Sequence, residues 1–255
     1  MTWFNFLSKD VIVDCYTARA DVYNFSPIKK ASVYLPDWWK TLPKTFPNPS
    51  NPLLTNSTMK HCVGFTDLFA KGFMIPLWSD VVVQIGGQQD QHEHNYNYQF
   101  ADFESKIDHH AERDMNGFYS FTDYQHLKFI SPWRLTCNEE IEFLLLDPTW
   151  CNDAPDEMFV PPGVVNFKYQ CGTNVNMFFR RRADTTAYTL KHNMPLAHFI
   201  PLTERKIKLK LHLVSEQELQ RVSNINKAVT FINKYKNNKS ILKERGCPFH
   251  HEVEK

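Results

Sequence analysis

Residues 58–85 read TMKHCVGFTDLFAKGFMIPLWSDVVVQI, and this stretch decides the fold. Its first part carries apolar side chains at helical spacing, namely Val63, Phe65, Leu68 and Phe69. Gly72 follows at the position where a helix commonly ends in the left-handed conformation. Residues 73–85 are dominated by β-branched and aromatic side chains, which indicate a long, buried strand. The stretch therefore predicts a short helix that runs into the central strand of a sheet with almost no loop between them.

The predicted central strand carries apolar side chains on both faces, so we expect it to be covered on both sides. Pro76 has no N–H to donate to a ladder, which predicts a bulge or a non-bonded position there. Asp80 is the polar exception, and a buried carboxylate must be paired or hydrogen-bonded. We therefore expect Asp80 to have a structural role, accepting from backbone N–H groups or meeting a cation, with Lys128 and Arg134 as candidates.

The rest of the chain is rich in strand patterns. Residues 10–17 alternate apolar and polar side chains, and residues 159–201 read as consecutive antiparallel strands. Residues 206–214 (KIKLKLHLV) alternate most cleanly, with four side chains predicted to face inward: Ile207, Leu209, Leu211 and Leu213. Residues 46–52 (FPNPSNP) hold three prolines, which predict a surface loop.

A second helix is predicted after the last strand. Ser215 and Glu218 have the spacing of a capping box, and apolar side chains recur at helical spacing from residue 219 to about residue 235. The fold class is therefore α+β: a predominantly antiparallel β sandwich or barrel, with a short helix before the central strand and a C-terminal amphipathic helix. We expect a β-rich domain over residues 1–214, with the helix and basic tail of residues 215–255 packed on it.

Composition excludes several classes of protein. Of the 255 residues, 42% are hydrophobic and 14% aromatic, which excludes general disorder. A formal net charge of +1 gives no global attraction to nucleic acid or to an anionic membrane. No uninterrupted apolar run approaches the roughly 20 residues that cross a bilayer. We expect neither nucleic acid nor membrane as a partner.

Cysteine usage indicates a reducing environment. The six cysteines stand at positions 15, 62, 137, 151, 171 and 247, and none forms a CxxC pair. The opening MTWFNFLSKD lacks the apolar core of a signal peptide. We therefore expect reduced, mostly buried thiols, in a protein that is not secreted through a signal peptide.

Histidines provide the first candidate site. His92 and His94 alternate on a probable strand, an arrangement that puts two imidazoles on one face, as in cupin-like barrels that bind iron, zinc or manganese. His198 is a candidate third ligand. His109, His110 and Glu112 form a second polar group nearby in the sequence. The metal interpretation implies an oxygenase or isomerase. Alternatively, the same histidine pattern is explained by polar side chains that face solvent and bind no cofactor.

Aromatic and basic residues provide a second candidate site, for a protein partner or for self-association. Trp38 and Trp39 cannot face the same way on one helical turn, so we expect one in the core and the other on the surface. Tyr96 and Tyr98 share one side of an edge or interface strand. Arg180 and Arg182 lie on the same side of a strand end, and Arg181 lies on the opposite side. The first two are candidates to bind a phosphate or a partner carboxylate.

Motifs of several enzyme classes are missing from the sequence. There is no GxGxxG, Walker loop, G-x-S-x-G elbow or HExxH. Only the Pro162-Gly163-Val164 turn and the many strands favour a third alternative, a nucleotide-binding protein of the trimeric pyrophosphatase kind. That alternative lacks a recognisable carboxylate to activate water.

Five segments are distinctive and occur in this order: LPDWWKTLP (35–43), TMKHCVGFTDLFAKGFMIPLWSDVVV (58–83), LKFISPWRL (127–135), VPPGVVNF (160–167) and MPLAHFIPL (194–202). In the same order they resemble segments of a family of functionally uncharacterised proteins encoded by tailed phages and bacteria. The last motif is similar to G-x-P-x-A-Q-x-I-P, with Asn193 in place of the glycine and His198 in place of the glutamine.

The resemblance covers roughly residues 30–205 and implies a phage or phage-like origin, without implying an activity. It places the protein in the host cytoplasm or the virion. Together with the exposed-looking aromatic residues it favours a non-catalytic, β-rich interaction protein, such as a virion or assembly component, with no cofactor.

Overall fold

A computed structural model of the chain describes residues 10–88, 95–110, 115, 123–152 and 156–224. The strands are β1 Val11–Thr17, β2 Lys29–Lys30, β3 Thr45–Asn48, β4 Asn51–Ser57, β5 Phe73–Pro76, β6 Val81–Ile85, β7 Tyr96–Phe100, β8 Ile107–Asp108, β9 Tyr124–Phe129, β10 Arg134–Thr136, β11 Glu142–Leu146, β12 Met158–Phe159, β13 Gly163–Asn166, β14 Val175–Arg180, β15 Thr186–Leu190, β16 Pro195–Pro201 and β17 Ile207–Leu213. The α-helices are α1 Ala20–Phe25, α2 Asp37–Thr41, α3 Val63–Ala70 and α4 Glu216–Asn224. Short 3₁₀ turns lie at Ala31–Tyr34, Met59–His61 and Thr149–Cys151. The fold is α+β and mostly β.

The central stretch begins as its spacing predicts, with helix α3 ending two residues before β5. Gly72 between them has a φ of 73°, and a Cβ there would collide with the carbonyl oxygen of Phe199. Every residue of β5 is buried. Only glycine therefore fits this tight passage from helix to strand.

The prediction of one long strand over residues 73–85 is wrong, because the stretch splits into β5 and β6 in two different sheets. Leu77 still bonds to the loop before β16, donating to Met194 O (2.8 Å) and accepting from Asn193 N (2.8 Å). Three residues later, Asp80 O accepts instead from Ala101 N, at the end of β7 (2.9 Å). The backbone therefore changes partners between these two positions, directly after Pro76.

The sheets are predominantly antiparallel. Their strand orders are β10-β1-β17, β13-β11-β16-β5-β2, β12-β14-β9-β8, β15-β6-β7 and β3-β4. None of these orders closes into a barrel within the described part of the chain. One pairing departs from the antiparallel expectation, because β1 and β17 run parallel from Val11↔Ile207 to Thr17↔Leu213.

The parallel pair follows from matching alternation in the two strands. Val11, Val13 and Cys15 are buried, and the three partly buried residues opposite them, Ile207, Leu209 and Leu211, pack against the same core. The inward prediction fails at the end of β17, where Leu213 is 47% exposed. On the other face of the pair, His212 Nε2 lies 2.8 Å from Asp14 Oδ1.

One large buried cluster joins side chains from four of the five sheets. At its centre the ring of Phe73 is stacked on Phe199, with centroids 5.4 Å apart, and lies 5.9 Å from Phe143. A second, smaller cluster is built around Ala31, Phe65, Phe69 and Met74. Met74 belongs to it because β5 presents alternate side chains to opposite faces, so this one strand separates the two clusters.

The capping box at the start of α4 forms as predicted: Ser215 N donates to Glu218 Oε2 (2.9 Å) and Glu218 N donates to Ser215 Oγ (3.3 Å). The predicted continuation of this helix beyond residue 224, including Ile225, lies outside the described residues. Among the helices that are described, none is long and apolar enough to span a membrane. The five described cysteines are free thiols, of which Cys15, Cys137 and Cys171 are buried.

Candidate interaction surface

Strands β3 and β4 form an isolated hairpin, which we call the arm (residues 45–57). The two strands pair only with each other among the described strands. Asn48 shapes the turn, because its Oδ1 accepts from Ser50 N (2.8 Å) and Asn51 N (3.1 Å). Thr58 closes the base, donating from its backbone N to Lys44 O at 3.0 Å. The predicted surface loop over residues 46–52 is therefore wrong: most of it belongs to paired strands.

The arm exposes apolar side chains on a surface without charge. Leu53 is 93% exposed, Leu54 55% and Phe46 42%. Residues 45–57 (TFPNPSNPLLTNS) contain no ionisable side chain. Pro47 and Pro52 are tolerated because both strands of a two-stranded sheet are edge strands. The arm therefore combines an apolar tip with a backbone that pairs on one side only.

A group of aromatic rings lies beside the base of the arm. Phe65 of α3 is buried, and its ring contacts four others, with centroid separations of 5.0 to 5.5 Å: Trp38, Trp39, Phe69 and Trp150. Trp38 and Trp150 cover Phe65 from outside, with exposures of 42% and 46% and centroids 6.0 Å apart. We call Trp38, Trp150 and the two cavities beside them the aromatic surface.

Trp38 and Trp39 face different environments, but neither lies fully in the core as one of them was expected to: Trp38 is exposed and Trp39 is partly buried against the smaller cluster. Trp39 is stacked on Phe65 at 5.4 Å with an interplanar angle of 18°. The ammonium group of Lys60 lies 4.0 Å from the centroid of the Trp39 ring and donates to Trp39 O (2.7 Å) and Lys40 O (3.0 Å). Because Lys60 follows the arm directly, these contacts fix the base of the arm to α2.

Two cavities flank Trp150. One, of about 480 Å³, is lined by residues of the Ala31–Tyr34 turn and α2, and by Trp38 and Trp150. The other, of about 320 Å³, lies between Trp150 and the buried face of α3, and is lined by Phe69, Met74, Asp147 and His198 among others. Both volumes fall in the range of concave binding sites. The walls of the smaller cavity are mostly apolar, whereas those of the larger cavity also include polar residues such as Asp37, Lys40 and Asn152.

The polar groups of the smaller cavity are held by internal hydrogen bonds. Asp147 Oδ1 accepts from Val160 N (2.9 Å) and its Oδ2 from Thr149 Oγ1 (2.6 Å), while burial raises the pKa of this carboxyl. His198 Nε2 donates to Lys71 O at 2.8 Å, and burial lowers the pKa of the imidazole. His198 is therefore neutral, with its hydrogen on Nε2, and holds the end of α3 against β16.

The predicted metal set has only one member among the described residues. His92, His94 and Glu112 lie outside them, so the cupin-like interpretation stays a prediction. In the described ranges, no three His, Cys, Asp or Glu side chains gather in a way that would hold a metal ion. His109 Nδ1 lies 2.9 Å from the hydroxyl of Tyr96, and His110 N donates to His126 Nδ1 at 3.0 Å.

Tyr96 and Tyr98 lie on β7, which is the end strand of its sheet in the described part of the chain. Their rings are stacked with centroids 6.4 Å apart, and both residues are partly buried against the large core. The sequence pattern placed them on one side correctly but did not reveal that this side faces inward. They therefore contribute to the scaffold more than to an outer surface.

The three successive arginines at the end of β14 divide as predicted. Arg180 and Arg182 are exposed, and Arg182 Nε donates to Glu157 Oε2 at 3.1 Å. Arg181 is buried and donates to Gly86 O (3.1 Å) and Gln125 Oε1 (2.5 Å). The structural contribution of Arg181 was missed, because nothing in the triplet distinguishes its middle member. Arg182 is already paired within the chain.

Asp80 is half exposed rather than buried, with its side chain 48% accessible. Its Oδ1 accepts from His192 N at 2.6 Å, a backbone bond of the expected kind that lowers the pKa of the carboxyl. Its cation is Lys191, 3.6 Å from Oδ2, in place of the predicted Lys128 or Arg134. Arg134 donates instead to Ser131 O and Trp133 O, at 2.6 and 2.9 Å. Lys128 lies opposite Asp108 and Asn176 in its sheet.

Comparison of the chain with protein-family models and with curated proteins finds no match in either case.

Proposed function

We propose that this chain is a non-catalytic interaction protein of the phage type, a virion or assembly component that works by binding protein. The observation that carries the proposal is the arm, which places Leu53 93% exposed at the end of an uncharged hairpin. A two-stranded hairpin by itself is marginally stable in water, and a long exposed strand edge attracts other chains. A segment of this kind is stabilised when a partner covers it.

The distribution of apolar exposure supports the same conclusion. The exposed apolar side chains at the arm and around α2 and α3 are Val33, Trp38, Phe46, Leu53, Leu54, Met59, Val63 and Trp150. These residues belong to consecutive segments of the chain and to the turn at Thr149–Cys151, where Trp150 contacts Trp38. Grouped apolar exposure of this type marks interaction sites, whereas isolated exposed residues do not.

The non-catalytic part of the proposal rests on how the polar groups near the aromatic surface are used. Both oxygens of Asp147 and the Nε2 of His198 are engaged in bonds that hold loops and strand ends together. The remaining walls of the smaller cavity are apolar for the most part. Such a site suits an inserted apolar side chain better than a reacting polar substrate.

We further propose that the sheets around the large core pack face to face as a β sandwich, which acts as a rigid base for the arm. The support is that one continuous buried cluster draws residues from four sheets, including Val13 of β1, Phe73 of β5, Val83 of β6 and Phe179 of β14. Packing of inner faces against each other is the defining feature of sandwiches.

The proposal is tested in the cells or phage particles in which the chain is naturally made. We expect native mass spectrometry and gradient sedimentation to find the full chain in a complex of fixed stoichiometry, and deletion of residues 46–56 to release it. A chain that sediments as a free monomer in its native extract, with or without the arm, would contradict the proposed function.

A further inference from the structure

We propose that the partner of the arm is a second copy of this chain, and that the arm of one copy binds the aromatic surface of the other. This inference rests on the proposed function and names its partner. It follows from the chemistry of the two surfaces, from their placement on one continuous segment, and from the exposure of Leu53 in its own copy.

Both surfaces carry exposed apolar side chains. The arm presents Phe46, Leu53 and Leu54 and no charge. The aromatic surface presents Trp38 and Trp150 with a cavity on each side of Trp150, of about 320 and 480 Å³. Apolar side chains inserted into well-formed pockets beside exposed tryptophans are the usual anchors of protein interfaces.

The charged residues of the aromatic surface do not oppose an uncharged partner. Asp37 and Lys40 both line the larger cavity, and Lys40 Nζ donates to Asp37 Oδ1 at 2.9 Å. In the smaller cavity, Asp147 is bonded to Val160 N and Thr149 Oγ1. An apolar tip that covers this surface therefore leaves these charges with partners from their own chain, which avoids the penalty for burying an unpaired charge.

The base of the arm is fixed to its own chain, but Leu53 is not covered by that chain. The base is held by the bonds from Thr58 to Lys44 O and from Lys60 to α2. Leu53 lies four residues from the end of β4, which places it about 13 Å along an extended strand from that end. Leu53 leaves 93% of its surface exposed, so it does not pack into a pocket of its own chain.

The same placement favours a reciprocal pair. Trp38 lies on α2 and Phe65 on α3, the helices immediately before and after the arm in sequence. In a two-fold symmetric dimer, both arms then cross to the other copy at one continuous interface, and each contact is made twice. We therefore expect a closed dimer in which residues 36–70 of the two copies face each other.

The first test measures the mass of the purified full chain by light scattering and analytical ultracentrifugation. We expect a dimer, and we expect the double variant Leu53→Asp, Leu54→Asp to raise its dissociation constant by at least about 100-fold, since each buried leucine contributes roughly a factor of ten or more. Leu202→Asp is the matched control, because Leu202 and Leu54 are equally exposed (55%) but Leu202 lies at the end of β16. The control should remain dimeric.

The second test locates the contact without destabilising the fold. A photo-crosslinking benzophenone amino acid replaces Leu53, and equal amounts of ¹⁴N- and ¹⁵N-labelled protein are mixed before irradiation. We expect mixed-isotope crosslinks to residues 33–40 or 147–152. Crosslinks confined to one isotope, or crosslinks mapping elsewhere, would overturn the inference.

The two proposals fail in different ways. A purified chain that stays monomeric at all concentrations, or an arm variant that dimerises like the wild type, overturns the second-copy inference. If the same chain is still found in a stable complex in its native extract, the proposed function stands with a different partner. If it is monomeric in both settings, both proposals are wrong.

Discussion

In the sheet core, Phe73 is fully buried and its ring is stacked on Phe199, whereas in the arm Leu53 leaves 93% of its surface in water. The two residues stand only twenty positions apart in the sequence. The core around Phe73 includes side chains from four sheets, while the cluster around Phe65 has four buried apolar members among the described residues, Ala31, Phe65, Phe69 and Met74. Neighbouring segments of one chain therefore have very different amounts of apolar burial.

This difference separates the segments that stabilise the fold from the arm, for which we propose a role in binding. Side chains with complete burial contribute most of the free energy of folding, because the hydrophobic contribution scales with the apolar area removed from water. The arm contributes little of this kind, because Leu53, Leu54 and Phe46 leave much of their apolar surface in water. The comparison gives four predictions, which follow from the largest expected effect to the smallest.

The largest effect should come from Phe73→Ala, which removes a ring at the centre of the large core. We expect the free energy of unfolding to fall by about 3–5 kcal/mol, the usual range for such a cavity. Leu53→Ala is the control in the arm and should change the free energy of unfolding by less than about 0.5 kcal/mol, as substitutions at other exposed sites do. Urea unfolding at a protein concentration at which the chain is monomeric measures both, and equal losses would break the comparison.

Acid should weaken the sheet core through His126, a buried residue of β9. His110 N donates to His126 Nδ1, so the ring is neutral, and its Nε2 lies 3.2 Å from Asn176 Oδ1. Burial, helped by the nearby His110, lowers the pKa of His126 to about 4. The unfolded chain, with a pKa near 6.5, binds the proton first, so stability is complete above pH 6.5 and falls as the pH decreases towards 4.

The loss between these two pH values is at most about 3 kcal/mol, from a pKa difference of 2–3 units. Urea unfolding at pH 7 and pH 4.5 measures it. His126→Gln, which has no titrating group at this site, should show a shallower pH dependence than the wild type. His61→Gln, at an exposed histidine beside α3, is the control and should show the same pH dependence as the wild type. Equal slopes in all three proteins would rule out His126 as the source.

Asp80→Asn should have a smaller effect on the connection between the two halves of the central stretch. The variant keeps an oxygen that accepts from His192 N but loses the charge facing Lys191. Because the folded pKa of Asp80 is lowered by that backbone bond, its contribution is present above the unfolded pKa of about 3.8 and is lost as pH falls through the folded pKa.

The melting temperature of Asp80→Asn should therefore fall at pH 7 by less than that of Phe73→Ala, and the two curves for wild type and variant should converge in acid. Self-association should be unchanged, because Asp80 lies at the start of β6 and not in the arm. An unchanged melting temperature combined with lost association would give Asp80 a binding role instead of a structural one.

Local sequence patterns were sufficient to predict the elements that are determined by residues close together in the sequence. The spacing of apolar residues in 63–69 and the glycine at 72 predict α3 and its end, and Ser215 with Glu218 predicts the cap of α4. Each of these signals lies within ten consecutive residues of the chain. Such elements form largely from neighbouring residues, so the sequence alone locates them.

Features that depend on distant partners were not predictable in this way. The break between β5 and β6 depends on residues 193–194 and 101, and the parallel pairing of β1 with β17 joins the two ends of the β-rich region. The arm was not predicted, because three prolines close together usually indicate a loop. Proline is excluded from the inner strands of a sheet but is tolerated in edge strands, and both strands of the arm are edge strands. Trp150, which completes the aromatic surface, stands more than a hundred residues from Trp38.

Asn193 shows how a departure from a motif can be understood from the backbone. Asn193, which the resemblance proposed from the sequence would align with a glycine, has a φ of 66°. This left-handed conformation is favourable for glycine and is adopted by asparagine more easily than by most other residues. His198, which the same resemblance would align with a glutamine, donates to Lys71 O as a side-chain amide also can. Asparagine at position 193 and histidine at position 198 are therefore both compatible with the local geometry.

The smallest effect should come from Lys60→Met, which tests whether the arm is held independently of the core. Lys60 donates to Trp39 O and Lys40 O and lies over the Trp39 ring, all at the base of the arm. Methionine keeps most of the apolar length but removes the charge, so we expect a local loss of about 1 kcal/mol. Lys44→Met, at an exposed lysine just before the arm, is the control.

Hydrogen exchange of the amide of Thr58, which donates to Lys44 O, measures this effect directly. A loss of about 1 kcal/mol corresponds to exchange about five times faster, provided that the amide opens locally. Amides of β5 and β16 should exchange as in the wild type, since the sheet core does not depend on Lys60. If their exchange accelerates to the same degree, the arm and the core open together, and the separation of a stable base from a binding arm is wrong.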